Sequence, residues 1–382
     1  MEEKFSPLTF LASLGAGGIA IMPFVLMQYT LEHGKGLITR SKLWDLVNTL
    51  NLNSYYYFGL EFVMILFTII HFVLTIFFGY KLFKWMQTKD YLLLVSNPLT
   101  NATLLAPLIS ILMTMNVFIG PIRYFLPIMY NNFQSLFLPA MIFWSILFVF
   151  IMYVEVNLLS ISFKKGFDIE KINFGWLLHP FLLGMLSVVG SGIAAMSQDF
   201  LIANIAAFMT LISVSMGVFL LLVKMIVLFT RHFSLKGLPE KNFLPSFLIV
   251  IPNITLYAIT AFRLGHFLET HQGFHLGPYF YLVIGFFFAF EIWYFLFGLT
   301  LLVDYFKKHH FKDFYITQWG LICPVVAFGV LGSFAYKILL PYKIFYIILV
   351  LTMLIAIILY FELLLKHFKC LNSKSKKINC QI

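Results

Sequence analysis

Charge is what this chain has least of: 11% of its 382 residues are Asp, Glu, Lys or Arg, where a soluble globular domain carries roughly 25%. With 61% hydrophobic side chains besides, a water-soluble fold is excluded. Cysteine is scarce too: three residues are too few for a disulfide-built scaffold. The two near the end, Cys370 and Cys380, are expected to stay reduced in a cytoplasmic tail. A nucleotide-binding loop, G-x-S-x-G and H-E-x-x-H are all missing, so no catalytic motif speaks for an enzyme. His266, His271 and His275 in one loop and His309-His310 in another lack the paired, rigidly backed spacing of a metal or haem site. Neither metal nor cofactor is expected. The formal net charge of +10 does not point to nucleic acid, because Lys and Arg sit in short connections and make no basic face. The opening Met-Glu-Glu-Lys lacks a basic leader and no A-x-A-like site follows, so the first apolar run is expected to stay as a helix.

What is present is apolar sequence in long runs. Bounded by charged, Asn, Gly or Pro clusters, they span 7–31, 55–83, 99–121, 133–160, 176–196, 200–231, 244–264, 277–306, 316–336 and 342–368. At about 20 residues per membrane-spanning helix, these are ten transmembrane helices and leave no room for a further domain. The expected organisation is one transmembrane domain, 1–368, and a short basic cytoplasmic tail, 369–382. If the N-terminus lies inside, 19 of the 26 Lys and Arg fall on that side and 7 on the other. The positive-inside bias then places both termini in the cytoplasm.

Odd and even runs differ in kind. Odd runs hold the glycines, prolines and hydroxyls: Gly15, Gly17, Gly18 and Pro23 in the first, Pro98 and Pro107 around the third, His179-Pro180 with Gly184, Gly190 and Gly192 in the fifth, Pro245 and Pro252 in the seventh, Pro324 in the ninth. Even runs are mostly longer and richer in Phe, Leu and Ile. The chain therefore reads as five helical hairpins in a row, one helix of each suited to a bundle interior and the other to lipid. Thr103, Pro107, Ser110 and Thr114 share one helical face, as do Gly184, Ser187 and Ser191, and Ser246, Asn253, Tyr257 and Thr260. Such stripes suit close helix packing; repeated on alternate helices, they also suit a shared central cavity, and they are taken here as pore-lining together with Pro324. Each proline is expected to free a carbonyl and bend its helix where protein or water can satisfy it.

In order and spacing these elements resemble the slow anion channel family and its bacterial relatives, the tellurite-resistance/dicarboxylate transporter family. The matching elements are Leu14–Gly18, Asn97-Pro98 with Pro107 nine residues on, His179-Pro180, Pro252 with Asn253 and Thr255, and Trp319 five residues before Pro324. The resemblance covers nearly the whole chain through short, degenerate motifs. It implies an all-α integral membrane protein whose five hairpins surround a quasi-fivefold central pore lined by the odd helices, assembled as a homotrimer. It also implies a multi-pass protein of a cell membrane of the bacterial inner-membrane type, and small anions as permeant species: inorganic anions, oxyanions or dicarboxylates. One departure stands out. The family places a pore-blocking Phe just before the kink of the ninth helix; here that position is Cys323, and Phe328 on the same helix is the alternative gate.

The interiors of the odd runs hold no charged residue, so a pore between them offers no carboxylate ring to cations. An anion path drawn by loop and interface Lys and Arg fits better. Even runs carry ionisable groups. Glu61, Glu155 and Glu362 stand near helix ends, where they are expected to reach interface water, whereas His71 and Glu291 stand mid-span, where such residues are functional candidates. Glu291 is either a packed, hydrogen-bonded acid or the site of proton coupling. A rival reading makes the protein a membrane redox protein working through Cys323 as a reactive thiol. As a bland alternative, Cys323 is a small apolar residue in a packed kink.

Overall fold

The structure, a computed structural model, describes residues 5–233, 237–371 and 379–381. Among the described residues, ten helices are long and apolar enough to cross a membrane: Pro7–Thr30, Ser54–Trp85, Asn101–Phe125, Phe133–Lys165, Phe174–Met196, Phe200–His232, Leu244–Gln272, Gly277–His310, Ile316–Ile338 and Lys343–Cys370. They are called the first to tenth spans below. The ten expected runs are all there, and the largest change of boundary is in the seventh, which continues to Gln272 instead of ending at 264.

Burial alternates along the chain. The central stretches of the odd spans are 94, 44, 100, 78 and 72% buried, against 22 to 33% for the even ones. An all-round apolar helix can only be solvated by protein or lipid, and this alternation marks the odd spans as the more protein-covered set, the third least so. The first span packs on the third, the third on the fifth, the fifth on the seventh, the seventh on the ninth, and the ninth on the first. Even spans lean on this inner set from outside: the second on the first and third, the sixth on the fifth, the eighth on the seventh and ninth, the tenth on the ninth and first.

Close approach within the inner set depends on small residues of the first span, as membrane helix interfaces generally do. A Cβ on Gly18 would stand 2.9 Å from the Val326 side chain of the ninth span, and one on Gly17 would stand 2.6 Å from Met113 of the third. His71 of the second span reaches into the same crowded place and donates from Nδ1 to the Ser13 carbonyl at 2.7 Å. Its Nε2 lies 2.9 Å from Thr114 Oγ1, so this histidine ties three spans together with both ring nitrogens partnered.

Prolines act differently from the expectation. Each inner span opens with a 3-10 turn: Pro7–Thr9, Asn101–Leu105, Phe174–Leu177, Leu244–Ile249 and Ile316–Leu321. An α-helix follows each turn, and Pro107, Pro180, Pro252 and Pro324 all fall within its first three residues. In a first turn the missing N–H is one that an α-helix leaves without a partner anyway, so these prolines start helices instead of bending them. The expected position inside a helix is kept by Pro23 and by Pro121, which sits in a π turn, Phe118–Ile122.

The all-α reading needs one small amendment. Asp313–Tyr315 (β1) pairs in parallel with Asn379–Gln381 (β2), Phe314 opposite Cys380. This brings the chain end back beside the start of the ninth span. The expectation of no disulfide is overturned at Cys370, which is disulfide-bonded. Residues 372–378 and 382 of the expected basic tail lie outside the described residues.

Candidate functional site

Side chains from all five odd spans surround a central cavity of about 120 Å³. Most of its wall is apolar, including Leu14, Val25, Phe181, Met185, Val326 and Phe334. Asn116, Thr255 and Cys323 add polar or polarisable atoms, and Arg263 is the one charged residue on the wall among the described residues.

Arg263 is the penultimate residue of the seventh run as read from the sequence, 244–264, but the helix does not end there. It carries on to Gln272, so a side chain that reads as standing at the edge of a span lies nine residues inside it. Its Nη1 donates to the Val188 carbonyl of the fifth span at 2.7 Å, which fixes the guanidinium against the wall. Gly192 leaves the space for it: a Cβ there would stand 3.2 Å from Nη1. A charged residue at membrane depth is costly and faces protein or a polar cavity. Here it faces the cavity, with one of its five donors used in that anchoring bond.

The polar stripes lie in the contacts between helices. Ser110 Oγ bonds Ser13 Oγ across the first and third spans, and Thr114 meets His71. Ser187 lies 2.8 Å from Ser213 of the sixth span and donates to its own Leu183 carbonyl at 2.7 Å. Gly184 is where Leu256 of the seventh span comes close. Tyr257 donates to the Pro180 carbonyl at 2.6 Å. Thr103, Ser191, Asn253 and Thr260 each donate to a carbonyl within four residues of themselves. Pro107 and Pro324 are buried at helix starts. Of the residues expected to line or gate a pore, Cys323 is the one on the cavity wall. Phe328 turns the other way, its ring 5.3 Å from that of Phe288 and 5.5 Å from that of Phe295 in the eighth span.

Glu291, fully buried in the eighth span, accepts from Thr255 Oγ1, and Thr255 is itself on the cavity wall. The acid therefore stands one hydroxyl behind the cavity. Its second oxygen, Oε2, has no hydrogen-bond partner among the described residues.

Three further ionisable groups are buried, two of them, Glu61 and Glu155, against the expectation that they reach interface water. Glu155 does not reach water: it is fully buried and lies 2.5 Å from His179 Nδ1. Lys224, 2% exposed, donates to the Trp176 carbonyl at 3.0 Å and lies over the Trp176 ring. Glu61 is buried likewise and accepts from Tyr124 at 2.8 Å and from Trp44 and Arg40 at 3.2 and 3.1 Å. Glu362 is the one that keeps partial exposure, paired with Lys366 at 2.6 Å. A helical-wheel search for acid–base pairs on neighbouring runs could have joined Glu155 to His179; no sequence signal marks Arg263. No group of three or more His, Cys, Asp or Glu among the described residues is placed to hold a metal ion.

The sequence profile of a known family, described as voltage-dependent anion channel, matches residues 4–368. No curated protein matches the chain.

Proposed function

Since the chain belongs to the voltage-dependent anion channel family, we propose that small anions pass through it along the central cavity between the odd spans, with Arg263 as the charge that selects them. The permeant species are inorganic anions, oxyanions or dicarboxylates. The observation that carries this reading is a guanidinium held on the wall of an otherwise apolar cavity. At about 5 Å, in surroundings of effective dielectric about 20, one such charge attracts an anion by about 3 kcal/mol and repels a cation equally. The Asn116 amide and the thiol of Cys323 replace part of the water a dehydrating anion gives up.

In the same proposal the inner spans form a quasi-fivefold pore in each subunit of a homotrimer in a cell membrane, with both termini in the cytoplasm. Glu291 is the carboxyl through which transport responds to protons, by way of Thr255. The redox alternative lacks a second thiol: Cys323 is the free cysteine among the described residues.

The test is flux from liposomes containing the purified protein, read with chloride, nitrate and a dicarboxylate. Arg263→Gln is expected to lower anion flux about 10- to 100-fold, as the loss of 1.4 to 3 kcal/mol would, and to let cations compete. A parent protein that passes none of the three anions overturns the reading, and so does an Arg263→Gln variant with unaltered anion preference.

A further inference from the structure

Where the first span ends, a second and wider recess of about 610 Å³ opens, lined among others by Gln28, Tyr29, His33, Phe262, His266 and Lys337. Three helices pass from the central cavity to this recess at one level. On the first span Val25 faces the cavity and Tyr29 the recess; on the seventh Arg263 faces the cavity and Phe262 the recess; on the ninth Phe334 faces the cavity and Lys337 the recess. At that level three rings meet. Tyr29 and Phe334 are 3.9 Å apart between centroids, Phe262 and Phe334 5.1 Å, and Tyr29 and Phe262 6.4 Å.

We propose that Tyr29, Phe262 and Phe334 form a shutter between the recess and the central cavity, with Tyr29 as its moving leaf. The proposal rests on the cavity being the anion path, and it puts closure eleven residues along the ninth span from Cys323. An apolar constriction of this kind closes a conduit by keeping water out as much as by filling it. The three rings are not equally free. Phe262 is wedged between His266, 4.6 Å away, and Phe280, 5.1 Å away, and Phe334 is 2% exposed within its helix. Tyr29 is half-buried in the last turn of the first helix. Beyond it the chain leaves the helix at Leu31 in an extended conformation. Neighbouring Gln28 anchors that connection by accepting from the Ile38 N–H at 2.7 Å, so the backbone is held while the Tyr29 ring has the recess to swing into. Arg263 stands just behind the rings, so an anion that parts them meets its counter-charge at once.

Cys323 lies on the cavity side and serves as a reporter that does not depend on conduction. In a full-length Cys370→Ser/Cys380→Ser background, a membrane-impermeant thiol reagent is added to right-side-out and to inside-out vesicles. Tyr29→Ala is expected to speed modification of Cys323 at least tenfold from one face only, and Phe334→Ala to do the same from that face. Tyr29→Phe, which keeps the ring, and Phe328→Ala, whose ring points to the eighth span, should both match the parent. Parent-like rates in Tyr29→Ala and Phe334→Ala from both faces overturn the shutter, as does a Tyr29→Phe variant as fast as Tyr29→Ala. Chloride flux on the same variants separates the two readings. Faster thiol modification with raised flux supports both, whereas faster modification with no flux in any variant keeps the shutter and overturns the conduit.

Discussion

At position 323 the side chain facing the central cavity is a thiol, and its size sets how much room the ninth span leaves. Replacing it with Phe puts a whole ring into a cavity of about 120 Å³. Cys323→Phe is therefore expected to cut anion flux severalfold or more, while Cys323→Ala keeps or raises it; flux from liposomes checks the order. Loss of activity in Cys323→Ala would speak instead for thiol chemistry. Glu291 is the second residue whose effect can be isolated. Glu291→Gln keeps the shape and an acceptor for Thr255 but cannot exchange a proton, so uptake driven by a pH gradient should vanish while passive exchange stays. An unchanged response to the gradient would leave Glu291 a packing role. Neither residue's setting follows from composition. Cys323 reaches the cavity and Phe328 misses it because five residues turn a helical side chain by well over a right angle.

Among elements, the fifth span is the one most completely enclosed, and its junction with the fourth is a buried contact between an acid and an imidazole. The His179–Glu155 contact of 2.5 Å is sealed from solvent, and Lys224 of the sixth span completes the group by binding the carbonyl of Trp176. Removing one member leaves its partner's polar atoms unpaired where nothing can solvate them, which costs about 1–3 kcal/mol, and more for a charged group. His179→Ala should accordingly lower the thermal unfolding midpoint of the purified protein clearly, and Glu155→Ala should do so to a similar degree. Additive losses in the double variant would mean that the two groups are not coupled. The alternation of inner and outer helices was legible in the sequence because glycine, proline and hydroxyls collect on the odd runs. Partners were not. Helical spacing puts Ser110 and Thr114 on one face, but whether that face meets a cavity or the neighbouring helix depends on rotation about the axis, which spacing leaves open. Arg263 escaped for a related reason: it closes the seventh run, where a cation reads as an interface residue, and the helix continues to Gln272.

For the molecule as a whole, the basic residues set orientation. Of the 26 Lys and Arg, 14 fall within the bounds of the spans, ten from the richer side and four from the poorer, and the nine against three that remain keep the asymmetry. Reporter fusions should find the C-terminus in the cytoplasm and the loop carrying His275 outside; a C-terminal reporter active only outside the cytoplasm would reverse the assignment. The layered architecture also bears on how the chain is made. In every consecutive pair the inner span is less apolar than the outer span that follows it, and a helix leaves the insertion machinery for lipid more readily the more apolar it is. The nascent chain thus emits first the helix that lipid welcomes less, and its companion only afterwards. On this ordering each inner helix would gain from staying at the translocation site, or against helices already released, until the next one arrives. Biogenesis would then advance two helices at a time, and the ring of inner spans would close only when the ninth, late in synthesis, finds the glycine face that the first has held open since the start.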